Sequence, residues 1–90
     1  MAKDLRKLET FCAIVEQGSF RKASEVLNLS QPSVSQYIAT LERHYNVSLF
    51  RRNGRGISLT PQGRALHTLA QEILQLSDLI PRHFSEMETL

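Results

Sequence analysis

Between Ser30 and Arg43 the chain gathers side chains able to make directional contacts: Gln31, Ser33, Ser35, Gln36, Thr40 and Arg43, with Pro32 among them. A helix meant only to pack would begin with alanine, leucine or glutamate, because serine and proline have lower helix propensity. A side-chain amide such as that of Gln36 can donate and accept together, which matches adenine N6 and N7 in the major groove of a duplex. Serine hydroxyls can meet either a donor or an acceptor there. The start of a helix adds a partial positive charge and free N–H groups, both suited to a phosphate. The plainer reading is that Ser30 caps the helix and Ser33, Ser35 and Gln36 are solvated.

Cations on both sides of this segment favour the first reading. Arg21 and Lys22 open a preceding helix, and Arg51, Arg52 and Arg55 lie in or beside a hairpin. From those positions they can reach phosphates or a minor groove. Arg52 has an alternative, an ion pair with a carboxylate such as Glu42.

Other chemistry is poorly supplied. No nucleophile–base pair or carboxylate pair stands out, so no catalytic residue is assigned and the chain is not expected to be an enzyme. His44, His67 and His83 share no metal-ligand spacing with Cys, Asp or Glu, and no metal or cofactor is expected. "NGRG" at residues 53–56 lacks the strand–loop–helix context and the Lys-Ser/Thr of a phosphate-cradling loop. The single cysteine, Cys12, cannot form an internal disulfide and reads as a small core residue.

The elements that must position these residues can be read in order. Asp4 can cap a first helix with Leu5, Leu8, Phe11, Cys12 and Val15 inward, and Gly18 ends it. Ser19 caps a short second helix, "FRKASEVL", with Phe20, Ala23 and Leu27 on one side. Asn28-Leu29-Ser30 leaves room only for two helices meeting at a steep angle. Ser30 caps the third helix, and Pro32 falls in its first turn, where a missing N–H costs nothing. At about 100° per residue, Val34, Ile38, Leu41 and Tyr45 share one narrow sector with Tyr37 beside it. Pro32, Gln36, Ala39, Thr40 and Arg43 point broadly the other way, and Asn46 suits a left-handed C-cap.

The period then changes. "SLFRR" and "GISLT" are short β-prone pieces that predict a hairpin, with Asn53-Gly54 tolerating positive φ at its tip. Thr60 caps a last helix with Pro61 at its first position. Leu66, Leu69, Ile73, Leu76 and Ile80 then alternate spacings of three and four, as in a coiled-coil seam. Left exposed on a monomer, that stripe would be an association liability, so it predicts a homodimer interface. Pro81 must kink or end the helix.

The expected fold is mostly α: a winged helix-turn-helix of three helices and a two-stranded wing at residues 1–60, then a linker and dimerisation helix at 61–90. Ninety residues suffice for one small domain with one core. Charge follows the same division. Residues 1–60 carry nine Lys/Arg against five Asp/Glu, and residues 61–90 two against four, so the basic surplus lies with the helix-turn-helix. No apolar run approaches the roughly 18 residues of a membrane span and no signal-peptide core opens the chain, so it is expected in the cytoplasm.

From Leu5 to the end of the long helix the sequence resembles the LysR-type transcriptional regulators of bacteria. Phe11, Gly18-Ser19-Phe20, Ala23, Leu27, Ser30 to Ser35, Ile38, Leu41-Glu42, Leu49-Phe50, Arg52, Leu59-Thr60 and Gly63 stand where that family's pattern has them. The resemblance implies a DNA-binding domain whose long helix pairs with that of a second subunit. It also implies DNA contacts from Gln31, Pro32, Ser33, Ser35 and Gln36 on the third helix and from Arg55 on the wing. Full-length members continue into a two-lobed effector-binding domain, and these ninety residues are expected to correspond to the DNA-binding region and linker helix alone. Three positions depart from the pattern. Ser24 replaces a common alanine, Tyr45-Asn46 the usual Leu-Gly, and Pro81 falls late in the linker helix. A two-fold dimer would present two recognition helices to an inverted-repeat site. The competing expectation is a winged-helix protein-interaction module that binds no DNA.

Overall fold

A computed structural model describes residues 2–88. Its elements run α1 (Ala2–Gln17), α2 (Phe20–Leu27), α3 (Gln31–Tyr45), β1 (Phe50–Asn53), β2 (Gly56–Leu59) and α4 (Pro61–Glu88). This is the expected winged helix-turn-helix with a long appended helix.

The joints form as the sequence suggested. Gly18 stops α1 at a φ of 72° while its N–H still reaches the Ile14 carbonyl at 2.8 Å. Ser19 then caps α2, its side chain accepting from the Lys22 N–H at 3.0 Å. Ser30 caps α3 in the same way, accepting from the Ser33 N–H at 3.2 Å. Asn28 and Asn46 close α2 and α3 in the left-handed region, where a short polar side chain costs less than most residues.

Helix α1 is the hub, packing on α2, α3 and α4. Phe11, Ile14, Val34 and Leu49 have almost no exposure; burying each stabilises the fold by roughly 1.5–3 kcal/mol before entropy is counted. The two edges of the Phe11–Phe50–Phe20 row, at centroid separations of 5.3 and 5.5 Å, join this core to the base of the hairpin. The structure spans 55 × 25 × 20 Å because α4 projects beyond the core.

Three expectations need correction, and the fourth, a kink or an end at Pro81, loses one of its two outcomes. Asp4 lies inside α1 rather than ahead of it, since the helix already runs from Ala2. Tyr45 is 51% exposed, unlike Val34, Ile38 and Leu41. The last turn of α3 passes the edge of the core before the chain reverses at Asn46, and the Tyr45 ring stands edge-on to that of His44 at 4.7 Å. The hairpin tip also differs. Asn53 pairs with Gly56, the turn is Gly54-Arg55, and positive φ falls on Gly56, at 136°, not on Asn53 or Gly54. The Asn53 side chain instead accepts from the Arg55 N–H at 3.0 Å, an Asx turn that makes positive φ at Asn53 unnecessary. Finally, Pro81 does not end α4, which continues to Glu88. The lost bond is the one to the Ser77 carbonyl, four residues back.

Candidate nucleic-acid interface

The first turns of α3 present the polar face that the sequence implied. Gln31, Pro32, Ser35 and Gln36 are exposed, while Val34 and Ile38 between them are buried. The residues differ in how free they are. The Ser30 hydroxyl is engaged within the chain, accepting from the Ser33 N–H and donating to Ser33 Oγ at 2.9 Å. Ser33 is half-buried and keeps a proton to donate. Thr40 donates to the Gln36 carbonyl at 2.9 Å and accepts weakly from Arg43 at 3.4 Å. Among the described residues, Gln31, Ser35 and Gln36 have no intrachain side-chain partner, so their full hydrogen-bonding capacity faces outward.

The flanking cations also divide. Arg21 is exposed but pairs with Glu25 at 2.9 Å one turn along α2. A surface pair of this kind is worth little and yields readily to a phosphate. No carboxylate pairs with Lys22, Arg51 or Arg55 among the described residues, and all three are exposed. Arg52 is turned back onto the protein, its guanidinium 5.0 Å from the Phe20 ring centroid. The alternative ion pair with Glu42 does not form. The Glu42 carboxylate instead accepts the Leu49 N–H at 2.8 Å, across the turn between α3 and the wing.

Sequence reasoning missed that use of Glu42, and it underrated Thr60. Thr60 is buried and does three things. Its hydroxyl accepts from the Gly63 N–H at 2.9 Å and donates to the Ser48 carbonyl at 2.6 Å, and its own N–H reaches the Leu49 carbonyl at 3.1 Å. Gly63 lies so close to this joint that a Cβ there would sit 2.2 Å from the Leu49 oxygen. The signal for Gly63 was available in principle, since a glycine inside a helix needs a packing reason.

On α4, Leu66 is half-buried against the core of its own chain. Leu69, Ile73, Leu76 and Ile80 are exposed at 55%, 42%, 65% and 55%. Phe84 and Met87 extend the same stripe beyond Pro81, at 61% and 65%. No helix among the described residues is long and apolar enough to cross a membrane.

Residues 5–64 match the family model described as bacterial regulatory helix-turn-helix protein, lysR family. The chain belongs to this family. Curated relatives agree. An HTH-type transcriptional regulator from the ibpB-leuC intergenic region of Azotobacter vinelandii is 49% identical over 73 residues, covering 81% of this chain and 51% of that protein. The nitrogen assimilation regulatory protein nac of Escherichia coli (strain K12) is 43% identical over 72 residues, covering 80% of this chain and 24% of that protein. The chain thus spans about half or a quarter of the length of these relatives. Among solved structures, the BenM DBD in complex with catB site 1 DNA superposes with a TM-score of 0.89 at 31% identity, covering 96% of this chain and 97% of that one.

Within the LysR family pattern, two of the three departures have a local explanation. Ser24 is buried, and its hydroxyl donates to the Arg21 carbonyl at 2.6 Å, so the extra polar group is satisfied inside its own helix. Asn46 takes the left-handed C-cap that glycine usually supplies, at a φ of 53°, and Tyr45 before it is left in solvent.

Proposed function

We propose that this chain is the DNA-binding region of a bacterial LysR-type transcription regulator, acting in the cytoplasm as a homodimer on an inverted-repeat site in double-stranded DNA. The recognition helix, residues 31–45, enters the major groove by its first turns. Gln31, Pro32, Ser33, Ser35 and Gln36 meet base edges there, with Pro32 offering an apolar face. Arg21, Lys22, Ser30, Thr40 and Arg43 hold the flanking backbone from the helix-turn-helix. The wing, residues 51–56, reaches the backbone or minor groove through Arg51 and Arg55. Residues 1–60 carry the DNA-binding elements, and residues 61–90 link and dimerise them through Leu69, Ile73, Leu76 and Ile80, with Leu66 at the inner edge. The relatives are named as transcriptional regulators and not as enzymes, and no catalytic role is proposed.

One observation carries this reading. The outward face of α3 keeps unengaged amides and a free serine hydroxyl, framed by unpaired cations from α2 and the wing. A solvated helix end would not require that frame.

A gel-shift series on random and promoter DNA tests it. Affinity should fall steeply with salt, because each neutralised phosphate releases a counterion. Gln36→Ala should blunt discrimination between sites by roughly 1–3 kcal/mol, whereas Arg51→Ala should weaken all sites alike. No binding even at low salt would leave the protein-interaction reading in its place.

A further inference from the structure

We propose that Arg52 serves DNA binding by holding the wing at a fixed angle to the recognition helix, and not by touching DNA. The inference rests on the DNA-binding reading above and assigns this arginine a different role from Arg51 and Arg55. Strand alternation puts Phe50 and Arg52 on one face of β1 and Arg51 on the other. The Phe20 ring receives both inner residues, Phe50 at 5.5 Å between centroids and the Arg52 guanidinium at 5.0 Å. Phe20 is the first residue of α2, and the Ser19 cap fixes its position. One ring therefore joins the hairpin to the helix pair that carries α3.

Beyond Ile57, which pairs with Arg52 and packs against the core, the outer hairpin has little else to hold it. Its strands are four residues each, and residues 51–56 are all exposed. A two-stranded hairpin of that length is marginal on its own. Arg52 also borders an open groove of about 390 Å³ that Ser35 and Ala39 of α3 line from the other side. The stack thus sets the distance between the wing and the base-reading face. A guanidinium over an aromatic ring favours the docked wing about two- to five-fold. Apparent affinity scales with the docked fraction, so losing the stack can lower it by no more than that factor.

The test measures fluorescence anisotropy of a labelled random-sequence duplex pool together with amide order parameters of the wing in the free protein. Arg52→Met should weaken binding measurably, by no more than about five-fold, and lower the order parameters of residues 53–56. Arg52→Lys, which keeps the charge but not the planar stack, should behave like Arg52→Met. The double variant Arg52→Met with Arg55→Ala should lose less than the product of the two single losses, because an undocked wing no longer delivers Arg55. The proposal is overturned if Arg52→Lys binds as the parent does, if the single losses multiply, or if the wing amides stay as ordered. Multiplying losses, with the salt slope falling by about 0.9 for Arg52→Met, would make Arg52 a phosphate contact. Failure of the parent chain to bind at low salt would sink the DNA reading, while the order parameters would still decide whether the stack is a clamp.

Discussion

Replacing Gly63 by alanine separates two opposing effects. In an open helix, Gly→Ala stabilises by about 1 kcal/mol through backbone entropy. Here the new Cβ would sit 2.2 Å from the Leu49 oxygen, 2.8 Å from Leu59 Cδ2 and 3.2 Å from the Leu49 carbonyl carbon. The nearest of these is backbone and cannot rotate away, so α4 must lift by about an ångström to restore ordinary contact. That lift strains the Thr60 N–H to Leu49 carbonyl bond at 3.1 Å and the Gly63 N–H to Thr60 hydroxyl bond at 2.9 Å. Overpacking costs about 1–3 kcal/mol and each weakened bond up to about 1 kcal/mol. After the propensity gain, Gly63→Ala should destabilise by up to about 4 kcal/mol. For a domain of this size each kcal/mol shifts Tm by about 4–8 °C, so a fall of up to roughly 30 °C is expected. Thermal melts followed by circular dichroism would read it, at matched concentration because dimerisation alters Tm. Gly54→Ala is the control, since nothing lies within 4 Å of a Cβ at that position and its φ is not positive. A Gly63→Ala protein melting at or above the parent temperature would refute the close seating of α4 on Leu49.

Two further outcomes are expected. Ile73→Glu would place a carboxylate in the middle of the apolar stripe, and an unpaired charge buried there costs about 3 kcal/mol or more. Sedimentation should shift from dimer to monomer, with Kd raised at least about 100-fold, and an unchanged dimer would rule the stripe out as the seam. Cys12 has its thiol pKa pushed up to about 11, first by burial and then by the nearby Glu16 carboxylate. A folded-state pKa raised above the ordinary 9.0 contributes stability that is present below pH 9.0 and lost as pH rises towards about 11. Alkylation at pH 8 should therefore be slow in the folded chain and rise sharply on unfolding; equal rates in the two states would contradict the burial.

The order of elements was legible because each boundary is marked by a local rule. Ser19 and Ser30 satisfy N–H groups of their own first turns, and Asn46 closes α3 within its own helix. What escaped the sequence was set by contacts between distant segments. Tyr45 falls in the correct angular sector, but periodicity cannot tell where a helix outruns the core beneath it. Glu42 reads as a surface carboxylate until the chain turns and brings the Leu49 N–H to it, seven residues on. The wing tip was misplaced by one residue because Asn53 can serve a turn either through positive φ or through its side chain, and the sequence does not choose between them. The polar face of α3 was visible as a pattern, yet only the structure separates Ser30 and Thr40, already bonded internally, from Gln31, Ser35 and Gln36.

Those distant contacts converge on one place. Glu42 holds the Leu49 N–H, Thr60 holds the Ser48 and Leu49 carbonyls, and Gly63 lets α4 lie against Leu49. Residues 48–49 are therefore tied to the end of the recognition helix on one side and to the start of the linker helix on the other. The wing grows from the same two residues. In the dimer proposed above, α4 fixes the distance between subunits, and this junction carries that geometry to α3 and the wing with no flexible segment between. A change in the angle of the linker helices would then move both DNA-contacting elements together. Loosening the junction, as Gly63→Ala should, would instead uncouple half-site spacing from the dimer seam.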